Sequence, residues 1–76
     1  MSLRKTIKEE AIERIEKRVS DYRPFENLVD IYADMRVQQV KVKDQLTKQP
    51  KNEILLDALS SLEEDIKHYE SELLIN

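Results

Sequence analysis

The chain contains no cysteine, no glycine and no tryptophan; prolines number two, tyrosines three and phenylalanines one. Without cysteine, neither a disulfide framework nor a thiolate metal site can staple the fold. Without glycine, phosphate-cradling Gly-rich loops and turns that demand positive φ are excluded. Uninterrupted aliphatic runs stop at three residues, Ile54-Leu55-Leu56 and Leu73-Leu74-Ile75, far short of the roughly 20 that cross a bilayer. No signal-peptide core follows the N-terminus. The expectation is a soluble, cytoplasmic protein with no membrane segment.

Charge, by contrast, is abundant: Asp, Glu, Lys and Arg make up 38% of the 76 residues, with a formal net charge of −3. The distribution is uneven. Residues 1–23 hold seven Lys/Arg against five Asp/Glu, residues 24–49 four of each, and residues 50–76 two against seven. Mixed signs at this density describe a solvated helix surface first, and a basic head able to meet an acidic partner second. A chain this short buries only about 60% of the surface it exposes when unfolded, so association with further copies is expected to support it.

Proline and cap chemistry divide the chain into three helices. Thr6-Ile7-Lys8-Glu9 fits a capping box, which predicts helix 1 over residues 6–22, with Met1-Ser2-Leu3 left outside it. Ile7, Ala11, Ile12, Ile15, Val19 and Tyr22 recur three or four apart and form one apolar stripe. Pro24 restricts Arg23 and suits the start of a second helix, which predicts a break there and helix 2 over 24–48. Gln49-Pro50 closes it, and Asn52 is a suitable N-cap for helix 3 over 53–74.

Seven-residue periods dominate the second and third helices. Phe25, Leu28, Tyr32, Met35, Gln39, Val42 and Leu46 step by three and four, as do Leu55, Leu59, Leu62, Ile66, Tyr69 and Leu73. Two such seams joined by a short proline-containing link predict an all-α fold built on a long antiparallel hairpin with coiled-coil-like packing. Gln39 is the polar interruption of the seam and is assigned the setting of register. A second strip on helix 2, Val29, Ala33, Val37 and Val40, awaits a partner. Either the shorter helix 1 folds back over it at the base of the hairpin, the preferred arrangement, or the strip is an interface to a neighbouring subunit. Leu28, Val29 and Tyr32 are expected to be buried, with Asp30 facing water and Ile31 at the margin.

Patterns with the spacing of chemical sites are better explained by helix surfaces. Glu9, Glu10 and Glu13 have the E-E-x-x-E spacing of a Mg²⁺ carboxylate set, yet interleave with Lys and Arg, and Mg²⁺ requires oxygens from a second helix. Glu64, His68 and Glu72 share one helix face but lack the further ligand and supporting shell of a stable metal site. No Ser or Thr has a base at nucleophile spacing. Tyr22, Tyr32 and Tyr69 fall on apolar stripes as core residues with a wet hydroxyl. The expectation is a non-enzymatic protein with no cofactor and no metal.

Asn27-Leu28-Val29-Asp30-Ile31-Tyr32 opens a long polar helix, Pro50-Lys51-Asn52 lies in a Lys/Gln-rich connection, and the closing helix ends in Tyr69 and Leu73-Leu74-Ile75. In these features residues 25–75 resemble a segment of some phage terminase small subunits. The resemblance implies a homo-oligomer, often a ring, that recognises viral DNA and hands it to an ATP-driven large subunit without itself making or breaking bonds. The residues ahead of the matching segment leave no room for a separate helix-turn-helix domain, so phosphate contact would fall to Arg4, Lys5, Lys8, Arg14, Lys17 and Arg18 and be strongly salt-dependent. A regulatory or adaptor protein that binds a partner protein through its hairpin is the alternative. A third reading, a small helical enzyme with a site between subunits, would centre on Arg36, Gln39 and Lys43.

Overall fold

The computed structural model describes residues 2–73, and they form three α-helices with no strand. Helix α1 spans Leu3–Glu16, α2 spans Glu26–Lys48 and α3 spans Glu53–Glu72. The predicted extension of helix 3 to residue 74 lies outside the described residues. Helices α2 and α3 run side by side as an antiparallel hairpin, and α1 folds back along α2 of the same chain. The result is a rod of 45 × 27 × 17 Å with a radius of gyration of 13.7 Å, against about 11 Å for a compact chain of this length. Elongation follows from a tip with two helices and a base with three.

Helix α1 departs from expectation at both ends. Its N-cap is Ser2, whose hydroxyl accepts from the Lys5 N–H at 3.4 Å, so Leu3 begins the helix. Thr6 lies one turn inside and donates its hydroxyl to the Ser2 carbonyl at 3.3 Å instead of capping. At the other end α1 stops six residues before the predicted Tyr22. The Arg18 and Val19 N–H groups both donate to the Ile15 carbonyl at 2.9 Å. Asp21 then accepts from the Arg23 N–H at 3.0 Å and pairs with its guanidinium. A short acidic side chain three residues ahead of a proline offers the backbone a local alternative to the helical ladder, and the helix ends ahead of it. The break therefore lies over residues 17–22, and Arg23–Phe25 already form a 3₁₀ turn leading into α2.

The far link follows the sequence closely. Gln49 has left the α region, as the residue before a proline prefers, with φ −135° and ψ 67°. Asn52 accepts from the N–H groups of Ile54 and Leu55 at 3.0 and 3.2 Å, and its own amide donates to Gln49 at 2.8 Å. Chain reversal and helix start are thereby coupled in four residues.

Both seven-residue seams face each other. Tyr32, Ile66 and Leu73 are buried, and every other seam residue is at least half-buried. The core lies at the base, where Ile7, Ala11 and Ile15 of α1 meet Val29, Tyr32 and Ala33 of α2 with Ile66 and Leu73. Val19, Tyr22 and Phe25 cover its end, although the first two have left the helix.

Candidate functional site

Two polar clusters flank the core. The first joins α1 to α2. Arg4 Nε donates to Asp34 Oδ1 at 2.6 Å, while Lys8 Nζ and Arg4 Nη2 reach Asp30 Oδ1 at 2.7 and 3.4 Å. Asp30 thus does not face water as expected; it is half-covered by the two cations. Arg4 and Lys8 are one turn apart on α1, and Asp30 and Asp34 one turn apart on α2, so equal spacing on antiparallel helices matches the pairs. The Lys8 ammonium, with Arg4 adding to it, holds the Asp30 carboxyl below its usual range, and Asp30 raises Lys8 in return.

The sign of the linkage follows from these directions. Asp30 contributes stability above its ordinary pKa of 3.8, and this is lost as pH falls through the depressed folded value. Lys8 contributes below its ordinary 10.5 and loses it as pH rises through the raised value. Circular-dichroism melts of the chain and of Asp30→Asn at pH 7 and at about pH 3 check this. The wild type should lose more Tm on acidification than the variant, by a modest margin because the groups are partly exposed. Equal losses would show that another carboxylate carries the acid sensitivity.

The second cluster joins α2 to α3. The buried Tyr32 hydroxyl donates to Glu70 Oε2 at 3.1 Å and accepts from Arg36 Nη1 at 2.7 Å, and the Arg36 guanidinium lies 5.7 Å from the Tyr32 ring centroid. Burial pushes the Tyr32 hydroxyl up, the Arg36 contact pulls it down and Glu70 raises it again; burial prevails. Beside this triad is an open cleft of about 260 Å³ lined by Arg36, Gln39, Lys43, Glu63, Ile66, Lys67 and Glu70. Arg36 also borders a smaller opening of about 70 Å³ with Ile7, Glu10, Ala11, Arg14 and Tyr32.

The residues singled out in the sequence are thus distributed unevenly. Gln39 lies half-buried in the larger cleft, but the side-chain hydrogen bond that crosses the hairpin seam is Tyr32 to Glu70. Of the proposed interface strip, Val29 and Ala33 have no exposed surface because α1 of the same chain covers them, Val37 is half-buried, and Val40 remains 44% exposed. A helix 1 running to Tyr22 would reach Val40; the nine-residue link between α1 and α2 leaves Arg4 beside Asp34 instead. In the basic set Arg4 and Lys8 are ion-paired, whereas Lys5, Arg14, Lys17 and Arg18 are exposed. His68 pairs with Glu72 at 3.4 Å and meets the Tyr69 ring edge-on. Among the described residues no three His, Asp or Glu side chains converge as a metal site would require. No described helix is long and apolar enough to cross a membrane.

Scanning the chain against protein-family models, curated proteins and solved structures returned no match in any of the three.

Proposed function

We infer that the chain is a non-enzymatic helical assembly module that associates with further copies of itself through the flank left open beyond α1. The observation that carries this reading is the exposure of Val40 and Leu56, 44% and 46%, on that flank. Helical spacing puts Val40 on one face with Arg36 and Lys43, and Leu56 on one face with Glu63, Lys67 and Glu70, the residues that border the larger cleft. Leu3, 46% exposed, stands at the end of α1. Isolated surface leucines are ordinary; apolar residues along the flank where a covering helix stops are what a helix-on-helix contact uses. The elongated shape and small core support the same reading, because association adds burial that the single chain lacks.

The resemblance to phage terminase small subunits supplies the specific version, a module of viral DNA packaging. In that version phosphate contact falls to Lys5, Arg14, Lys17 and Arg18, since Arg4 and Lys8 are held by Asp30 and Asp34. Light scattering should give a molar mass several-fold above 9.0 kDa, and Val40→Glu with Leu56→Glu should lower it with helicity unchanged. A wild-type monomer at the highest soluble concentration would remove the assembly reading. For the packaging version, duplex DNA binding should weaken with salt at a log–log slope of about −3 to −4, the value for four phosphate contacts.

A further inference from the structure

The two flanks of the hairpin differ in charge. On the side of α1 the positions bordering the seam are Arg36 and Lys43 of α2 with Glu63, Lys67 and Glu70 of α3, which line the larger cleft. Ionic residues beside an apolar seam are the usual surface of a coiled coil. Helical spacing places Ile31, Gln38 and Gln45 on the other side of the α2 seam, and Ala58 and Asp65 on that same side of α3. All five are exposed, and Asp65 is the one charge among them. Met35, Val42, Leu62 and Tyr69 lie half-buried between the two lines, so the floor of this flank is apolar. In a chain with 38% charged residues, such a flank is a surface suited to losing its water.

The edges of the flank indicate what covers it. Beyond the strip, the outer edge of α2 carries Lys41 and Lys48, and that of α3 carries Asp57 and Glu64. All four are exposed, and no ion pair among the described residues engages them. Their heights agree. Tyr32 bonds Glu70, and Lys43 and Glu63 border one cleft, so along the rod Lys41 is level with Glu64 and Lys48 with Asp57. On opposite edges of one hairpin these charges do not meet. A second hairpin turned over about the long axis keeps every height and sets α2 of each copy over α3 of the other, which brings each lysine to an acid. Reversing that copy end to end would lay α2 on α2, whose matching acid, Asp34, is already held by Arg4. The 23 residues of α2 make a flank about 35 Å long, and two helices make it about 20 Å wide, roughly 700 Å² on each copy. Two such faces reach the roughly 1,200–2,000 Å² of a stable pair, whereas a lone partner helix would cover about half of one.

We propose that this charge-poor flank is a second self-interface, on which the hairpin of another copy closes an antiparallel four-helix bundle with both tips at one end. The contact uses neither Val40 nor Leu56 and leaves α1 outside. It therefore goes beyond the association inferred from those residues, and a chain with two separate self-contacts assembles past the dimer.

Sedimentation of the full chain carrying Val40→Glu with Leu56→Glu isolates this contact, and that variant should run as a dimer. Adding Lys41→Glu and Lys48→Glu should raise the dimer Kd about tenfold or more with helicity unchanged, and adding Asp57→Lys and Glu64→Lys as well should restore it. Because the chain has no cysteine, single introduced thiols report the geometry. Gln45→Cys mixed with Ala58→Cys should oxidise to a covalent dimer that neither forms alone. A Val40→Glu, Leu56→Glu chain that sediments as a monomer would overturn the proposal while leaving the first contact standing. So would a tetra-substituted charge swap that fails to restore the dimer, or a thiol pairing of Gln45→Cys with Ile31→Cys in place of Ala58→Cys. A wild-type mass that Val40→Glu and Leu56→Glu leave unchanged, but the lysine variants lower, would support this interface and remove the first.

Discussion

Ile15→Ala is expected to lower stability by about 2–5 kcal/mol, the range for truncating a fully buried isoleucine. Ile15 has no exposed surface and belongs to the core that joins α1 to the hairpin. A chain of this length has about 4–11 kcal/mol of stability in total, so one side chain carries a large share of it. Urea unfolding followed by circular dichroism is the measurement. Ile54→Ala, at a residue 80% exposed, is the control and should change stability by no more than about 0.5 kcal/mol. Loss of Ile15 should also loosen α1 first: amide exchange over Leu3–Glu16 should accelerate ahead of that in α2 and α3, since α1 is held to the rest chiefly by Ile7, Ala11 and Ile15. A change below about 1 kcal/mol would mean that α1 contributes little to the folded chain as a single copy, and that its apolar face is covered elsewhere.

That α1 belongs to its own chain was legible in part from the sequence. The apolar strip on α2 needed a cover, and helix 1 was the available one. Where the cover would stop was not legible, because its extent depended on how many residues the link consumed. Val19 and Tyr22 continue the helical period and still reach the core, but they do so from a turn that Asp21 organises through the Arg23 N–H. Apolar spacing reports which residues go inside; it does not report whether the backbone between them is helical. The hairpin was more legible because two independent signals agree there. Seven-residue steps on both helices specify the facing sides, and Pro50 with Asn52 specifies the reversal.

The polar groups were the least legible part, and the reason is geometric. Gln39 stood out as the polar residue on an apolar seam, whereas the contact across the seam is made by Tyr32, counted as apolar when the period was read. Its ring occupies a seam position and its hydroxyl reaches Glu70 from there. Likewise Asp30 and Asp34 lie on the side of α2 away from the seam and look solvated until α1 is in place. Their match to Arg4 and Lys8 was available as a signal, two acidic and two basic residues at the same spacing, but only once the antiparallel register of α1 against α2 was known. Electrostatic partners between helices follow from packing, and packing here turned on the length of one link.

Tyr32→Ala should be the most damaging single truncation, at about 3–5 kcal/mol by analogy with other buried aromatics, and its mechanism is separable into two parts. The ring fills the base of the hairpin at 2% exposure between α1, α2 and α3. The hydroxyl links Arg36 to Glu70. Tyr32→Phe keeps the ring and removes the link, and should cost about 1–3 kcal/mol, the range for stripping a hydrogen-bond partner from polar groups that remain partly buried. Chemical denaturation of both variants gives the division directly. The phenylalanine variant should also unfold with a weaker alkaline dependence: burial raises the Tyr32 pKa above its ordinary 10.0, so the wild type loses stability as pH climbs from there towards the folded value, and a residue without a hydroxyl cannot. If Tyr32→Phe proved as stable as the wild type, the Arg36–Tyr32–Glu70 chain would be a surface contact without energetic weight. The fixed orientation of Arg36 would then need another cause.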